Sequence, residues 1–221
     1  MSARTPVPGT EFTGVLGLPD APRAPAVIVL HEWWGLNAHI ESLVARLTAA
    51  GFVAWAPDLY HGFSTKDGAK AAEAMNALRF DQAIAEVQAA VAWLAHHPRT
   101  TGRTGLTGFC MGGAFTLYCA ARIPDLSAAT VFYGIPDPKL TDFRQIGCPV
   151  LAHFATRDAW ASVARAEGVR DAVLSAGGSF ELNVYEADHA FVNDTRPDVY
   201  APEPAALAWK RTMEFFHQHL G

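Results

Sequence analysis

The sequence predicts an α/β fold, a mostly parallel sheet with helices on both faces. Three observations predict it: short runs rich in apolar or β-branched residues recur along the chain, helical stretches separate them, and runs such as 26–30 are apolar along their whole length instead of alternating. Strands buried on both faces read that way, and parallel neighbours need a crossover, usually a helix, between them.

The runs at residues 26–30, 52–55, 104–107, 129–133, 150–154 and 181–185 each read as a strand. Between the second and third, residues 81–94 set Ile84, Val87, Val91 and Leu94 at the spacing of one helical face, which should lie on the sheet. Residues 114–122 form a helical run after the third strand. A last helix places Trp209, Met213, Phe216 and Leu220 on one stripe, with Pro202 and Pro204 near its start. Residues 57–68 read as a long loop, and residues 136–145 as either a lid or an interface. In such a sheet, ligands bind beyond the carboxyl ends of the strands.

With 221 residues, half of them hydrophobic, the chain can bury one core, and a single domain over residues 1–221 is expected. A net charge of -5 gives no basic surface to track phosphates, so small molecules, not nucleic acid, are the expected partners. Residues 1–12 lack the basic stretch and apolar run of a signal peptide, and no apolar run approaches the roughly 20 residues of a membrane helix. Three cysteines, Cys110, Cys119 and Cys148, without close pairing suit a reducing compartment. A soluble, cytoplasmic protein of open oligomeric state is the expectation.

The most informative segment is Gly108-Phe109-Cys110-Met111-Gly112-Gly113, lying between a strand and a helix. This is the pattern of a nucleophile elbow, with cysteine in place of serine. The turn is so sharp that side chains at Gly108 and Gly112 would collide with neighbouring backbone. A thiol at a helix N-terminus is favoured as thiolate by the unpaired N–H groups and the helix dipole, and the Met111 N–H would face a developing oxyanion. The plainer alternative is that Cys110 is a small core residue in a glycine-rich turn.

Asp158 follows the strand at 150–154, and His189 follows the strand ending at 185. The order nucleophile, acid, histidine is that of the α/β-hydrolase fold and differs from other triad folds. His189 would move the proton while Asp158 holds the imidazole in one tautomer. Either residue alone could be an ordinary loop residue; the conjunction is what is specific. Asp58 reads as a turn former. No cysteine–histidine grouping has zinc spacing and no glycine-rich phosphate loop occurs, so neither metal nor cofactor is expected.

Directly after the first strand comes His31-Glu32-Trp33-Trp34-Gly35-Leu36-Asn37. In this fold that loop donates the second oxyanion N–H, here from Trp33. Glu32 is either a solvated loop residue or a partly desolvated base near the nucleophile.

These segments, with Pro57-Asp58-Leu59-Tyr60, Phe132-Tyr133-Gly134 and His189-Ala190-Phe191, resemble the dienelactone hydrolase family over nearly the whole chain. The resemblance implies hydrolysis of a lactone or small ester through an acyl-enzyme on Cys110, without a cofactor. It also implies that Glu32 contacts the resting thiol and helps to deprotonate it. Where the family places a substrate-binding arginine, four residues after the histidine, this chain has Asn193. Arg196, Lys66 or Lys70 could replace that charge, or the substrate is uncharged. Trp34, Phe63, Tyr133 and Phe191 are expected to line the pocket with Asn193 and Arg196. Two competing readings are a small-molecule carrier that kept the fold without catalysis, and a redox thiol protein. The second is opposed by Cys119, nine residues along the helix and at ~1.5 Å rise per residue too far for a resolving partner.

Overall fold

In the computed structural model, which describes residues 4–221, seven consecutive uncharged residues make strand β3 (Ala24–Leu30), and all seven are buried. It follows β1 (Arg4–Pro6) and β2 (Thr13–Gly17). The chain continues through α1 (Ala38–Ala49), β4 (Val53–Pro57), α2 (Gly68–Ala77), α3 (Phe80–His96), β5 (Thr100–Phe109), α4 (Met111–Ala120) and β6 (Ala128–Phe132). It ends with β7 (Val150–Arg157), α5 (Val163–Ser175), β8 (Phe180–Asp188) and α6 (Pro202–Leu220).

The strands form one sheet in the order β1-β2-β4-β3-β5-β6-β7-β8. From β4 to β8 all neighbours are parallel, as the apolar runs predict, and each expected strand is present. The two antiparallel strands at this end of the sheet, β1 and β2, are additions to the sequence reading. Pro6, Gly14 and Gly17 hide them, since proline and glycine are poor strand formers away from edges. Gly14 has a packing reason: a Cβ there would overlap the Trp55 indole, 2.7 Å away.

Helix α3 buries Val87, Val91 and Leu94 and half-buries Ile84, the stripe that its sequence spacing marks. Truncating Leu94 to alanine in such a setting costs about 2–5 kcal/mol. Helix α6 is rotated from expectation. Ala205, Ala208, Thr212, Phe215, Phe216 and Leu220 face inward, while Trp209 and Met213 flank the contact. Small residues let the helix approach the sheet, and Gly105 on β5 leaves the space that Phe216 and Leu220 fill. Thr212 also meets a buried polar centre: His153 Nε2 lies 3.0 Å from its hydroxyl, and His153 Nδ1 lies 2.9 Å from the Tyr185 hydroxyl. Burial lowers His153 to about 3, so it is a neutral, hydrogen-bonded core residue.

No helix among the described residues is long and apolar enough to cross a membrane. What the topology does for function lies at the carboxyl ends of the strands. β3 has β4 on one side and β5 on the other, so chain direction across the sheet reverses there and opens a crevice. Glu32, Cys110, Asp158 and His189 fall at or just past the ends of β3, β5, β7 and β8.

Candidate active site

Cys110 sits between β5 and α4 with φ 54° and ψ -115°, a left-handed backbone that non-glycine residues adopt only where the surroundings enforce it. Two hydrogen bonds enforce it here. Its N–H donates to Phe132 O at 3.0 Å, and its carbonyl accepts from Ala114 N at 3.0 Å. A Cβ on Gly108 would overlap Gly112 O, and one on Gly112 would overlap Leu30 O and His31 O. The glycines of the motif therefore let three backbone segments meet under the cysteine. Met111 opens α4, so its N–H has no preceding turn to bond and is free to serve a ligand oxygen.

Asp158 and His189 come from adjacent strands. His189 Nδ1 lies 2.6 Å from Asp158 Oδ2, and Asp158 Oδ1 accepts from the N–H groups of Trp160 (2.8 Å) and Ala161 (2.9 Å). The carboxylate is therefore fixed at both oxygens and buried. Burial by itself would lower the His189 imidazole, but hydrogen bonds to Asp158 and Cys110, with the charges of both, outweigh it and push the ring up to about 10. Beside a Cys110 thiolate the ring keeps its proton at neutral pH, ready to be given to a leaving group.

Glu32 is not a solvated loop residue; it is 1% exposed. Its Oε2 accepts from Asn193 Nδ2 at 2.7 Å, and its Oε1 has no protein partner. Burial raises its carboxyl to about 7, against the Asn193 hydrogen bond and the positive charges of His189 and Arg196. A turn closed by Gly35 N and Glu32 O (3.2 Å) carries Trp33 and Trp34, whose rings meet edge to face at 4.9 Å. Thr65 N donates to Trp34 O at 3.0 Å, tying this turn to the 57–68 loop.

Beside Trp34 opens a cavity of about 620 Å³ that is also lined by His39, Lys66, Thr195 and Arg196. Cys110, His189 and Glu32 are not among its lining residues. Lys66 and Arg196 share one wall, whereas Lys70 is not part of it.

The profile of the dienelactone hydrolase family matches residues 12–220 of this sequence. The chain belongs to the dienelactone hydrolase family. It is accordingly a lactone or ester hydrolase by family, built on the α/β-hydrolase fold. The protein named usf of Aquifex pyrophilus is 36% identical to it over 221 residues, 96% of this chain and 95% of the relative. The carboxymethylenebutenolidase of Pseudomonas sp. (strain P51) is 30% identical over 216 residues, 93% and 90% of the two chains. A Klebsiella pneumoniae protein, solved as a proposed dienelactone hydrolase, superimposes with a TM-score of 0.88 at 30% identity, over 99% and 98% of the two chains.

Three of the residues expected to line the pocket have the following surroundings. Phe191 is fully buried, its ring packed against Tyr133 (5.6 Å) and Tyr185 (5.2 Å), so it supports the site from the core. Phe63 lines a different cavity, of about 270 Å³, between the 57–68 loop and helices α2 and α3. Asn193 is 2% exposed and spends its amide on Glu32 and Thr195, so it takes the arginine's place in sequence without facing the open cavity. Strand and loop position give a residue's neighbourhood, while packing decides where its side chain points.

Tyr133 is buried with φ 39°, its ring edge-to-face with His189 at 5.1 Å and its hydroxyl without a protein partner. Burial, then the charges of Glu32 and Cys110, hold its phenol well above the usual range, so it remains a neutral donor. Sequence reasoning gave no role to Tyr60 beyond its place in a motif. Its hydroxyl donates to Met111 Sδ at 3.1 Å and its phenol is raised by burial and by the Cys110 charge, which puts it beside the nucleophile. The aromatic after a strand-ending Pro57-Asp58 was the only available signal.

Proposed function

We propose that the protein hydrolyses a lactone or small carboxylic ester through an acyl-enzyme on Cys110. The observation that carries this reading is the His189–Asp158 bond of 2.6 Å beside a cysteine held at an elbow. Cys110 Sγ attacks the carbonyl carbon, forming the C–S bond, while the carbonyl oxygen gathers charge facing the Met111 and Trp33 N–H groups. His189 passes its proton to the leaving oxygen as the C–O bond breaks; in a lactone that oxygen stays tethered as the opened chain. Water then attacks the thioester with His189 accepting its proton, the C–S bond breaks, and the carboxylic acid leaves. Glu32, buried near the nucleophile, takes the proton of a neutral Cys110 thiol and so readies it for attack.

Lys66 and Arg196 are assigned to an acidic group on the substrate, with Trp34 packing on its apolar part. Arg196 also pairs with Asp198 at 2.7 Å, so this clamp is weaker than two free guanidinium groups would be. Stopped-flow hydrolysis of p-nitrophenyl acetate, with mass spectrometry of the quenched protein, tests the reading. It expects a p-nitrophenol burst and an acetyl group on Cys110 that Cys110→Ala abolishes. Turnover that survives in Cys110→Ala would refute it.

A further inference from the structure

Glu32 is anchored by a chain of side chains that starts at the cavity wall. Thr195 donates both its hydroxyl (2.6 Å) and its N–H (3.1 Å) to Asn193 Oδ1. A backbone N–H can only donate, so that amide oxygen is fixed as the acceptor and Asn193 must present its NH₂ to Glu32. It does so at 2.7 Å, onto Oε2 alone. Oε1 is left buried and unpartnered, so only one oxygen of the carboxylate is committed to the scaffold. Thr195 lines the open cavity while Asn193 is closed off from it.

We propose that Thr195 and Asn193 are positioning residues: Thr195 fixes the facing of the Asn193 amide, and the amide fixes Glu32 Oε2 so that Oε1 remains available to the reacting centre. The proposal rests on the role given to Glu32 above. A neutral amide in this place has a consequence that a cation would not have. A cation would keep Glu32 ionised at all working pH values, whereas one neutral hydrogen bond leaves ionisation to the surroundings. Those surroundings are His189 and Arg196, which favour the carboxylate, and burial, which opposes it. Removing the amide hydrogen bond therefore raises Glu32 further, and the pH at which it can accept a proton moves up.

The test uses the full chain as wild type, Thr195→Val, Thr195→Ser, Asn193→Leu and Glu32→Gln. Two pH profiles are measured: the rate of Cys110 alkylation by iodoacetamide, and kcat/KM for p-nitrophenyl acetate. Asn193→Leu is expected to move the acid limb of both up by roughly one unit, about the worth of one hydrogen bond to a charged acceptor. Thr195→Val, nearly isosteric and mild for folding, moves it the same way by less. Thr195→Ser restores the wild-type limb, and Glu32→Gln removes it. An unmoved limb in folded Thr195→Val and Asn193→Leu, or a limb that persists in Glu32→Gln, overturns the proposal. A limb that shifts in alkylation while no acetyl-Cys110 forms keeps the positioning role and rejects ester hydrolysis instead.

Discussion

His189 meets Asp158 across 2.6 Å from the ends of the neighbouring parallel strands β8 and β7. The far oxygen of Asp158 is held by two N–H groups of the following turn, so the carboxylate cannot rotate away from the ring. This fixes Nδ1 as the protonated side towards Asp158 and turns Nε2 towards the cysteine.

Asp158→Asn keeps the shape and the two N–H contacts but can present an NH₂ to Nδ1, which favours the wrong tautomer. Turnover should fall by about 10⁴, the cost of that error in a serine triad. The circular dichroism and melting temperature should stay close to wild type. Steady-state assays beside a thermal melt check it.

The pH dependence of stability follows from Glu32. Its carboxyl rises from 4.5 to about 7 because burial penalises the charge. Between those values the folded state binds more protons than the unfolded one, so stability falls as pH rises from about 4.5 to about 7 and stays lower above. Glu32→Gln should match wild type at pH 4 and be the more stable protein at pH 8, by an amount of order 3 kcal/mol. Urea melts at the two pH values measure the difference.

Gly108→Ala should be among the most damaging single-atom additions in the chain. The new Cβ would overlap Gly112 O and lie 2.5 Å from the Thr116 hydroxyl, and backbone at an elbow cannot yield as a side chain end can. A loss of at least about 2 kcal/mol is expected, within the range for core overpacking. Gly147→Ala, where no atom lies within 4 Å of the added carbon, is the control. Chemical denaturation of both variants decides it.

Lys66 and Arg196 share the wall of the 620 Å³ cavity. Replacing either by alanine should raise KM for an ester bearing a free carboxylate by roughly tenfold, about the worth of one charge-assisted hydrogen bond. KM for p-nitrophenyl acetate, which has no such group, should change little. Paired kinetics on a half-ester and its neutral methyl ester make the comparison.

Local rules made much of this readable. Parallel strands buried on both faces must be apolar throughout, a sharp strand-to-helix turn must have glycines around its nucleophile, and an α/β-hydrolase must meet its acid after its nucleophile in the chain. Those rules reach only a few residues, and they were enough to mark Cys110, Asp158 and His189 as residues that end near one another, whereas they left Glu32 open and only the family resemblance gave it a role. Tertiary structure decided everything that depends on direction. Phe191 turned into the core against Tyr133, Phe63 turned towards α3, and Asn193, 161 residues from Glu32 in the chain, turned to hold its carboxylate. Strands β1 and β2 add to the edge that β4 offers, although neither Pro6 nor Gly14 favours a strand. Sequence by itself determined which chemistry could be assembled. Packing decided which atoms it is assembled from, because side-chain orientation and burial are set by neighbours that no local pattern names.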